Sequence, residues 1–219
     1  FMSKPRERPG LMPSFSNIPV HEDPGQVSAL RSKYLDSENP RQVMVGHFST
    51  MGPNIRSQLE GCLLNIHQQD RGIQFLFMGS GSTSFFDGIR ATRPDLAGRC
   101  IPTGFLSERE VSLHLQCCNL LLQPCPSGLS TRHTSVMAGL EHGLPVASFR
   151  SWRTEALWNE PNALVLARAG DVDGLSRKIL ELLESPERLR HVGSKGRALY
   201  NRHCSADLVL DRFAQALGV

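Results

Sequence analysis

The sequence predicts an α/β domain with a Rossmann-like open parallel sheet and helices on both faces. Short apolar runs that suit buried strands alternate with longer segments of helical periodicity. A continuous apolar run such as 73–78 favours a strand that is covered on both faces, as parallel sheets require. Turns rich in glycine and serine follow several of these runs, and ligands of such sheets bind at the carboxyl ends of the strands.

The composition is ordinary for a globular chain and excludes several classes of function. The 219 residues are 40% hydrophobic and 21% charged, with a net charge of +3. So mild a charge, without any Lys/Arg tract, argues against nucleic acid as a partner. No apolar stretch is long enough to span a bilayer, although scattered basic residues leave peripheral membrane association open. Six cysteines without CxxC spacing predict reduced, buried thiols, no metal site and a cytoplasmic location.

Six strands and eight helices are predicted in the main part of the chain. The strands lie at 42–48, 73–78, 100–106, 120–122, 145–148 and 163–166. The helices lie at 54–68, 84–92, 108–117, 131–142, 154–157, 171–183, 186–200 and 206–217. A further short helix is expected at 26–35, before the first strand.

The first part of the chain differs from the rest. Residues 1–25 hold many prolines and charges without periodicity, and they predict an extended linker or a docking arm. All six predicted strands lie within 41–219, which therefore forms one folded domain. A complete single-domain protein with an unstructured start is the alternative.

Two of the predicted strands lead into turns at which a ligand could approach the backbone. The first strand ends at Gly46, and a glycine there leaves room for a phosphate or another ligand. His47 follows it, either as a hydrogen-bond donor to the ligand or as a residue that caps the loop. Gly79 and Gly81 form a Gly-x-Gly turn after the second strand, a weak signal because any tight turn selects it.

The stretch 119–148 carries the strongest signal, because its pattern is strand, loop, helix and strand. The loop before the helix is rich in hydroxyl groups, which belong to Ser127, Ser130, Thr131 and Thr134. Arg132 lies in the predicted first turn, where a cation is locally unfavourable but free N–H groups favour an anion. A capped surface helix is an equally weighted alternative.

The same stretch resembles the donor-binding signature of glycosyltransferase family 4, whose members have the GT-B fold. The likeness rests on Pro126-Ser127 near a strand end and on small residues before Gly143-x-Pro145-Val146. Phe-Ser-Asn-Ile-Pro at 15–19 resembles the segment that links the two halves of such enzymes. The resemblance implies that 1–40 is an interdomain linker and arm. It also implies that 41–219 is the half that binds a nucleotide sugar, and that the N-terminal acceptor domain is missing from this chain.

The resemblance also exposes departures from the family pattern. Its two glutamates fall on Ser130 and Ala138, so both are absent, and Glu141 one turn beyond is a candidate replacement. The family's diphosphate-binding Arg and Lys fall on His47 and Gly52. This chain therefore resembles a divergent branch in which the hydroxyl-rich loop and its arginine take over phosphate contacts.

Three further residues receive roles only through the resemblance. The turn at 103–106 resembles the one whose backbone frames the nucleobase, which points to Gly104 and Phe105. Glu155 aligns with a carboxylate that the family often keeps near the donor sugar. Together with Arg132 it forms the implied catalytic pair.

The implied function is transfer of a sugar from a nucleoside-diphosphate sugar to an acceptor hydroxyl, with retention and without a tightly bound cofactor. A degenerate GT-B half that acts as a binding or scaffold module is the alternative, favoured by the missing charged residues. An epimerase or phosphorylase on the same fold is a third interpretation. It is disfavoured because no lysine is placed for a bound cofactor.

Overall fold

The computed structural model describes residues 12–35 and 41–217. The parts of the predicted arm at 1–11 and 36–40 lie outside these residues. Within them, six strands are found: β1 (Met44–Phe48), β2 (Gln74–Met78), β3 (Cys100–Pro102), β4 (Leu120–Leu122), β5 (Val146–Arg150) and β6 (Val165–Arg168).

Nine α-helices accompany the strands in the described part of the chain. They are α1 (Pro24–Tyr34), α2 (Pro53–Gln69), α3 (Ser82–Thr92), α4 (Pro94–Ala97), α5 (Glu108–Cys117), α6 (Thr134–Glu141), α7 (Val172–Leu183), α8 (Pro186–His203) and α9 (Ala206–Leu217). A short 3-10 helix spans Ala156–Asn159, close to the short helix predicted at 154–157.

The strands form one sheet in the order β3-β2-β1-β4-β5-β6, and every neighbouring pair is parallel. The predicted fold class is therefore confirmed. After β3 the chain returns to the other side of β1, so the strand order reverses between β1 and β4. The crevice at the carboxyl ends of such strands is where sheets of this kind bind ligands.

Both faces of the sheet are covered, because alternate residues of each strand point to opposite sides. Phe75 and Phe77 of β2 join the core under α2, α3, α4 and α7. Leu76 and Met78 join the core under α5, α6 and α8. This double burial explains why the strands read as continuous apolar runs rather than alternating ones.

Two predicted boundaries close to the sheet edge move by three or four residues. The third strand ends at Pro102 instead of residue 106, since Gly104 adopts a left-handed φ of +72° and turns the chain away. The helix predicted from Thr131 begins at Thr134. The N–H group of Thr131 donates instead to the carboxylate of Glu155, at 2.9 Å.

Residues 12–23 run along the domain and are tied to it by hydrogen bonds. The N–H of Ser14 donates to the carbonyl oxygen of Thr131 (2.9 Å), and that of Ser16 to the hydroxyl of Tyr200 (3.2 Å). This part of the predicted arm therefore reaches the loop that precedes α6.

The last helix, α9, is poorly covered. Val209 is its buried residue, while Leu210 and Phe213 are each 54% exposed. Among the described helices, none is long and apolar enough to pass through a bilayer.

Candidate functional site

The turns at the carboxyl ends of β1, β2 and β3 and the start of α6 meet at one cavity of about 560 Å³. We call it the main cavity; it is lined by Asn17, Ile18, Phe48, Ser49, Thr50, Gly79, Ser80, Phe105, Leu106, Glu108, Val111, Arg132, His133, Thr134 and Ser135. Its position next to the reversal between β1 and β4 is the expected one for a ligand of this sheet. Its volume lies in the usual range for small-molecule sites.

The start of α6 supplies the charge and the free donors of the main cavity. Arg132 is exposed, and its guanidinium makes no hydrogen bond or ion pair to any described residue. The backbone N–H of Ser135, in the first turn, is also without a partner among those residues. Because this helix end is the positive end of the dipole, the cavity wall favours an anion.

His47 does not face the main cavity. It is 1% exposed within β1, and both ring nitrogens are used by the protein. Its Nδ1–H donates to the carbonyl of Leu122 (2.7 Å), and its Nε2 accepts from the hydroxyl of Ser49 (2.7 Å). Burial lowers the pKa of His47 to about 4, so the ring is neutral at pH 7. The structure therefore supports the loop-capping alternative and not a ligand contact.

Gly46 also departs from the prediction. It lies inside β1 rather than at its end, paired with Leu76 of β2. A β-carbon at this position would lie 2.6 Å from Sγ of Cys118, so the glycine makes room for a neighbouring thiol and not for a ligand.

Gly79 and Gly81 bring two turns together. A β-carbon at Gly79 would lie 2.1 Å from the carbonyl oxygen of Ser49, and one at Gly81 would lie 2.3 Å from that of Thr50. Gly79 also has a φ of +117°, which favours glycine. The Gly-x-Gly turn thus packs against the loop after β1, while Gly79 itself lines the main cavity and Gly81 does not.

The turn after β3 brings Phe105 to the main cavity, whereas Gly104 does not line it. Gly104 accepts from the N–H of Gly79 (3.2 Å) and donates its own N–H to Ser82 Oγ (2.9 Å), which fixes the turn. Phe105 is 83% exposed at the rim of the main cavity. An exposed aromatic ring at a cavity mouth offers a face for stacking.

Glu155 holds a loop and lines neither of the cavities described in this section. Its carboxylate accepts from the N–H of Thr131 (2.9 Å) and from the Thr131 hydroxyl (3.4 Å). Thr131 is itself buried, at 1% exposure. The predicted pairing of Glu155 with a donor sugar and of Thr131 with a phosphate is thus replaced by a contact between the two residues. Both position the start of α6.

Ser130 and Thr134 lie on either side of Arg132. Ser130 bonds with His133: its N–H lies 3.0 Å from Nδ1 of that ring, and its hydroxyl 3.4 Å. Its hydroxyl also accepts from the N–H of Arg132 (3.4 Å). Thr134 is exposed and lines the main cavity. Of the predicted hydroxyl groups, that of Thr134 is therefore the one available to a ligand there.

Glu141 is turned away from the main cavity. It is the last residue of α6, at the opposite end from Arg132. Burial is the main cause that raises the pKa of Tyr200 to about 12, and the nearby charge of Glu141 adds to this rise. A helix of eight residues is about 12 Å long, and Glu141 does not line the main cavity, so the structure does not bring it to the position of the missing glutamate.

Ser127 lies beside a second cavity of about 540 Å³, on the other side of His133. We call it the side cavity; it is lined by Asn54, Ile55, Cys125, Pro126, Ser127, His133, Trp152 and Arg153. Because His133 lines both spaces, the two cavities are neighbours.

The six cysteines are buried free thiols, as predicted. Burial raises the pKa of each, for example to about 12 for Cys62 and Cys100. Thiols in this state are poor nucleophiles and poor metal ligands.

Sequence reasoning missed several residues of the main cavity, among them Asn17 of the arm and the polar residues Ser49, Thr50 and Ser135. The hydroxyl pair Ser49-Thr50 directly after a predicted strand was the available signal. Asn17 carried none, because no local pattern indicates that the arm folds back onto the sheet.

No family model matches the sequence, and no curated protein matches it either. Solved structures do. HepE of Anabaena, in complex with UDP and glucose, is similar with a TM-score of 0.74 and 17% identity over 94% of this chain and 55% of that one. Sucrose-phosphate synthase of Thermosynechococcus elongatus is similar with a TM-score of 0.75 and 14% identity, covering 94% and 51%.

S. aureus TarM, in complex with Fondaparinux, alpha-GlcNAc-glycerol and UDP, gives a TM-score of 0.68 and 20% identity over 92% of this chain and 38% of its own. Likenesses at such low identity establish the fold: this chain has the Rossmann-like architecture of one half of a GT-B glycosyltransferase. The chain spans about half, or less, of the length of these proteins.

Proposed function

We propose that this domain binds a nucleoside-diphosphate sugar and serves as the donor half of a glycosyltransferase. The carrying observation is that four turns at one sheet edge enclose a cavity whose wall holds the unpaired guanidinium of Arg132 and the unpaired N–H of Ser135 in the first turn of α6. The binding of UDP or UDP-glucose by similarly folded proteins supports the choice of ligand.

In this proposal the diphosphate lies against Arg132, Thr134 and the N–H of Ser135. An arginine fork suits phosphate oxygens, because two parallel N–H groups can donate to two oxygens. The base lies toward Phe105, whose exposed ring offers a stacking face at the other turn.

The proposed reaction is a transfer of the sugar with retention. The acceptor oxygen bonds to the anomeric carbon on the face from which the phosphate oxygen departs, while the bond from that carbon to the phosphate oxygen breaks. The nucleoside diphosphate leaves with the electron pair, and the hydroxyl proton is released to solvent. Charge grows on the leaving diphosphate, so Arg132 and the α6 dipole stabilise the transition state more than the ground state. Glu155 contributes by holding the loop that presents Arg132.

In this proposal the acceptor hydroxyl that reacts is positioned by a second half like those in the longer GT-B proteins. The reaction then needs both halves. The buried reduced thiols suit a cytoplasmic location.

Thermal-shift titrations with UDP, GDP and ADP test the proposal. At least one diphosphate should raise the melting temperature, by an amount that grows with the logarithm of its concentration relative to its Kd. The matching monophosphate should raise the melting temperature less. Arg132→Ala should weaken binding about tenfold or more, since hydrogen bonds to charged groups are worth about 1.5–3 kcal/mol. Arg177→Ala on α7, exposed and remote from both cavities, is the matched control. No shift with any diphosphate would refute the proposal.

One observation favours a second candidate, a binding module without catalysis. Among the described residues that line the main cavity, Glu108 on α5 is the one acidic residue. The positions that carry glutamates in the family hold Ser130 and Ala138 in this chain. Nucleotide binding without any sugar transfer or donor hydrolysis by the two-domain protein would favour this candidate.

A further inference from the structure

The side cavity has an unusual wall, because it includes an exposed tryptophan. The Trp152 side chain is 81% exposed, and the guanidinium of Arg153 lies 4.7 Å from its ring centroid. Tryptophan is enriched at binding surfaces, where a large rigid ring supplies contact area at little entropic loss. Its exposure beside a cavity of about 540 Å³ indicates a platform for a ligand.

The platform is fixed relative to the main cavity. The loop that carries it, residues 151–155, is joined to residues 127–131 by hydrogen bonds. The bonds are Arg153 N–H to Ser127 O (3.2 Å), Glu155 N–H to Leu129 O (3.1 Å), Leu129 N–H to Thr154 Oγ1 (3.4 Å) and Thr131 N–H to Glu155 Oε2 (2.9 Å). Trp152 and Arg132 thus stand on two loops that cannot move apart without breaking these bonds.

Close packing adds to this link. A β-carbon at Gly128 would lie 2.4 Å from Thr154 Oγ1 and 3.0 Å from the N of Ser151, and the φ of Gly128 is +88°. The two loops therefore touch backbone to backbone at this point.

The chemistry of the wall suits a pyranose ring. The flat apolar face of a sugar stacks on an indole, while its hydroxyl groups need both donors and acceptors at the edge. Asn54 and Ser127 offer both, and Arg153 offers donors. The described residues that line the side cavity include no carboxylate, so they accept neutral and anionic saccharides alike.

We propose that the side cavity binds a ring of the acceptor saccharide, with Trp152 as the stacking platform. This inference rests on the proposed function. His133 separates the two cavities, so a sugar on Trp152 lies beside a diphosphate held at Arg132. The open, exposed ring fits a saccharide that arrives separately from the nucleotide.

A printed glycan array that carries neutral and acidic oligosaccharides tests the proposal with the full 219-residue chain. The unmodified protein should bind at least one class of glycan. Trp152→Ala should lower the apparent affinity for it at least about tenfold, as truncation of a tryptophan anchor does. Trp152→Phe should retain part of the affinity because a ring remains. Phe213→Ala, which removes another exposed aromatic ring on α9, is the matched control and should bind as the unmodified protein does.

No glycan bound by the unmodified protein, or equal binding by Trp152→Ala, rejects the acceptor subsite. The proposal is also rejected if the one effect of Trp152→Ala is to abolish the preference for UDP-glucose over UDP. Trp152 would then contact the sugar of the donor itself.

Nucleotide titrations on the same variants separate this proposal from the donor-site proposal. Trp152→Ala should keep the thermal shift with diphosphate, whereas Arg132→Ala should lose it and keep glycan binding. A diphosphate shift without glycan binding rejects the saccharide subsite alone. Glycan binding that depends on Trp152, without any diphosphate shift, rejects the donor site alone.

Discussion

The loop after β1 and the loop before α6 both border the main cavity, but they use their polar groups differently. In the first, His47 and Ser49 bond to each other, and Ser49 Oγ also accepts from the N–H of Met51 (2.9 Å). In the second, the guanidinium of Arg132 and the N–H of Ser135 are left without partners among the described residues. One loop is closed on itself and the other is open to a ligand.

The difference bears on where an anion can be recognised. A histidine whose pKa lies near 4 carries no charge at pH 7, so the β1 side offers packing and hydroxyl groups. The positive charge of the main cavity comes from Arg132 and the start of α6. Phosphate recognition in the proposed donor site therefore depends on one loop, whereas the family resemblance assigns it to both.

Breaking the closed loop should have the largest effect. His47→Ala leaves the Leu122 carbonyl and the Ser49 hydroxyl without their partner and opens a void, so it should lower the free energy of unfolding by about 2–4 kcal/mol. Urea denaturation measures the loss. His191→Ala, at an exposed position on α8, is the control. Equal midpoints for the two variants would show that His47 does not close the loop.

Acid should weaken the same loop without a mutation. Between pH 6.5 and 4 the unfolded chain binds a proton at His47 that the folded chain does not, so stability falls as the pH drops through this window. A shift of that size corresponds to about 3 kcal/mol. Burial lowers the pKa of His114 and His142 as well, which adds to the loss.

Unfolding in urea at pH 7, 5.5 and 4.5 measures this dependence. His47→Gln removes the titrating group but keeps a hydrogen-bond donor and an acceptor. It should therefore flatten the dependence of stability on pH. A profile as steep as that of the unmodified protein would assign the acid sensitivity to other groups.

The contact between Gly46 and Cys118 tests how tightly β1, the strand before the first loop, is packed. Gly46→Ala should cost about 1–3 kcal/mol, since its β-carbon meets Sγ of Cys118. In a Cys118→Ala background the same change should cost less, because the sulfur is gone. Additive losses in this double-mutant cycle would contradict the packing explanation.

The smallest effect is expected where the open loop is anchored. Glu155→Ala leaves the buried N–H of Thr131 unpaired and should lower stability by about 1–2 kcal/mol. Its effect on diphosphate affinity should be smaller than that of Arg132→Ala, and Glu155→Gln should restore most of both. A variant of unchanged stability whose sugar transfer is abolished would instead make Glu155 the catalytic carboxylate implied by the resemblance.

Much of this architecture could be predicted from local patterns. Runs such as 73–78 were long enough and apolar enough to predict covered strands, and the capping box at Ser107 and Glu110 marked the start of α5. The cavity-lining positions of Gly79, Phe105, Arg132 and Thr134 followed from the rule that turns after parallel strands meet at one edge.

The site residues that were misplaced share a cause. Position in the sequence alone indicates Gly46, His47 and Glu141 as site residues, but the direction of a side chain depends on strand register and helix phase. A shift of one residue along a strand moves a side chain to the other face of the sheet. Glu155 was likewise paired with a ligand, because no sequence pattern shows that Thr131 lies next to it.

Periodicity and local backbone chemistry suffice to predict the α/β class, the strands covered on both faces, and an arginine next to a helix start. Tertiary contacts are needed to establish three other features: the strand order, the pairing of residues 151–155 with 127–131, and the neutral state of His47. Each depends on contacts between segments far apart in the chain, where burial and hydrogen bonding select one partner among many.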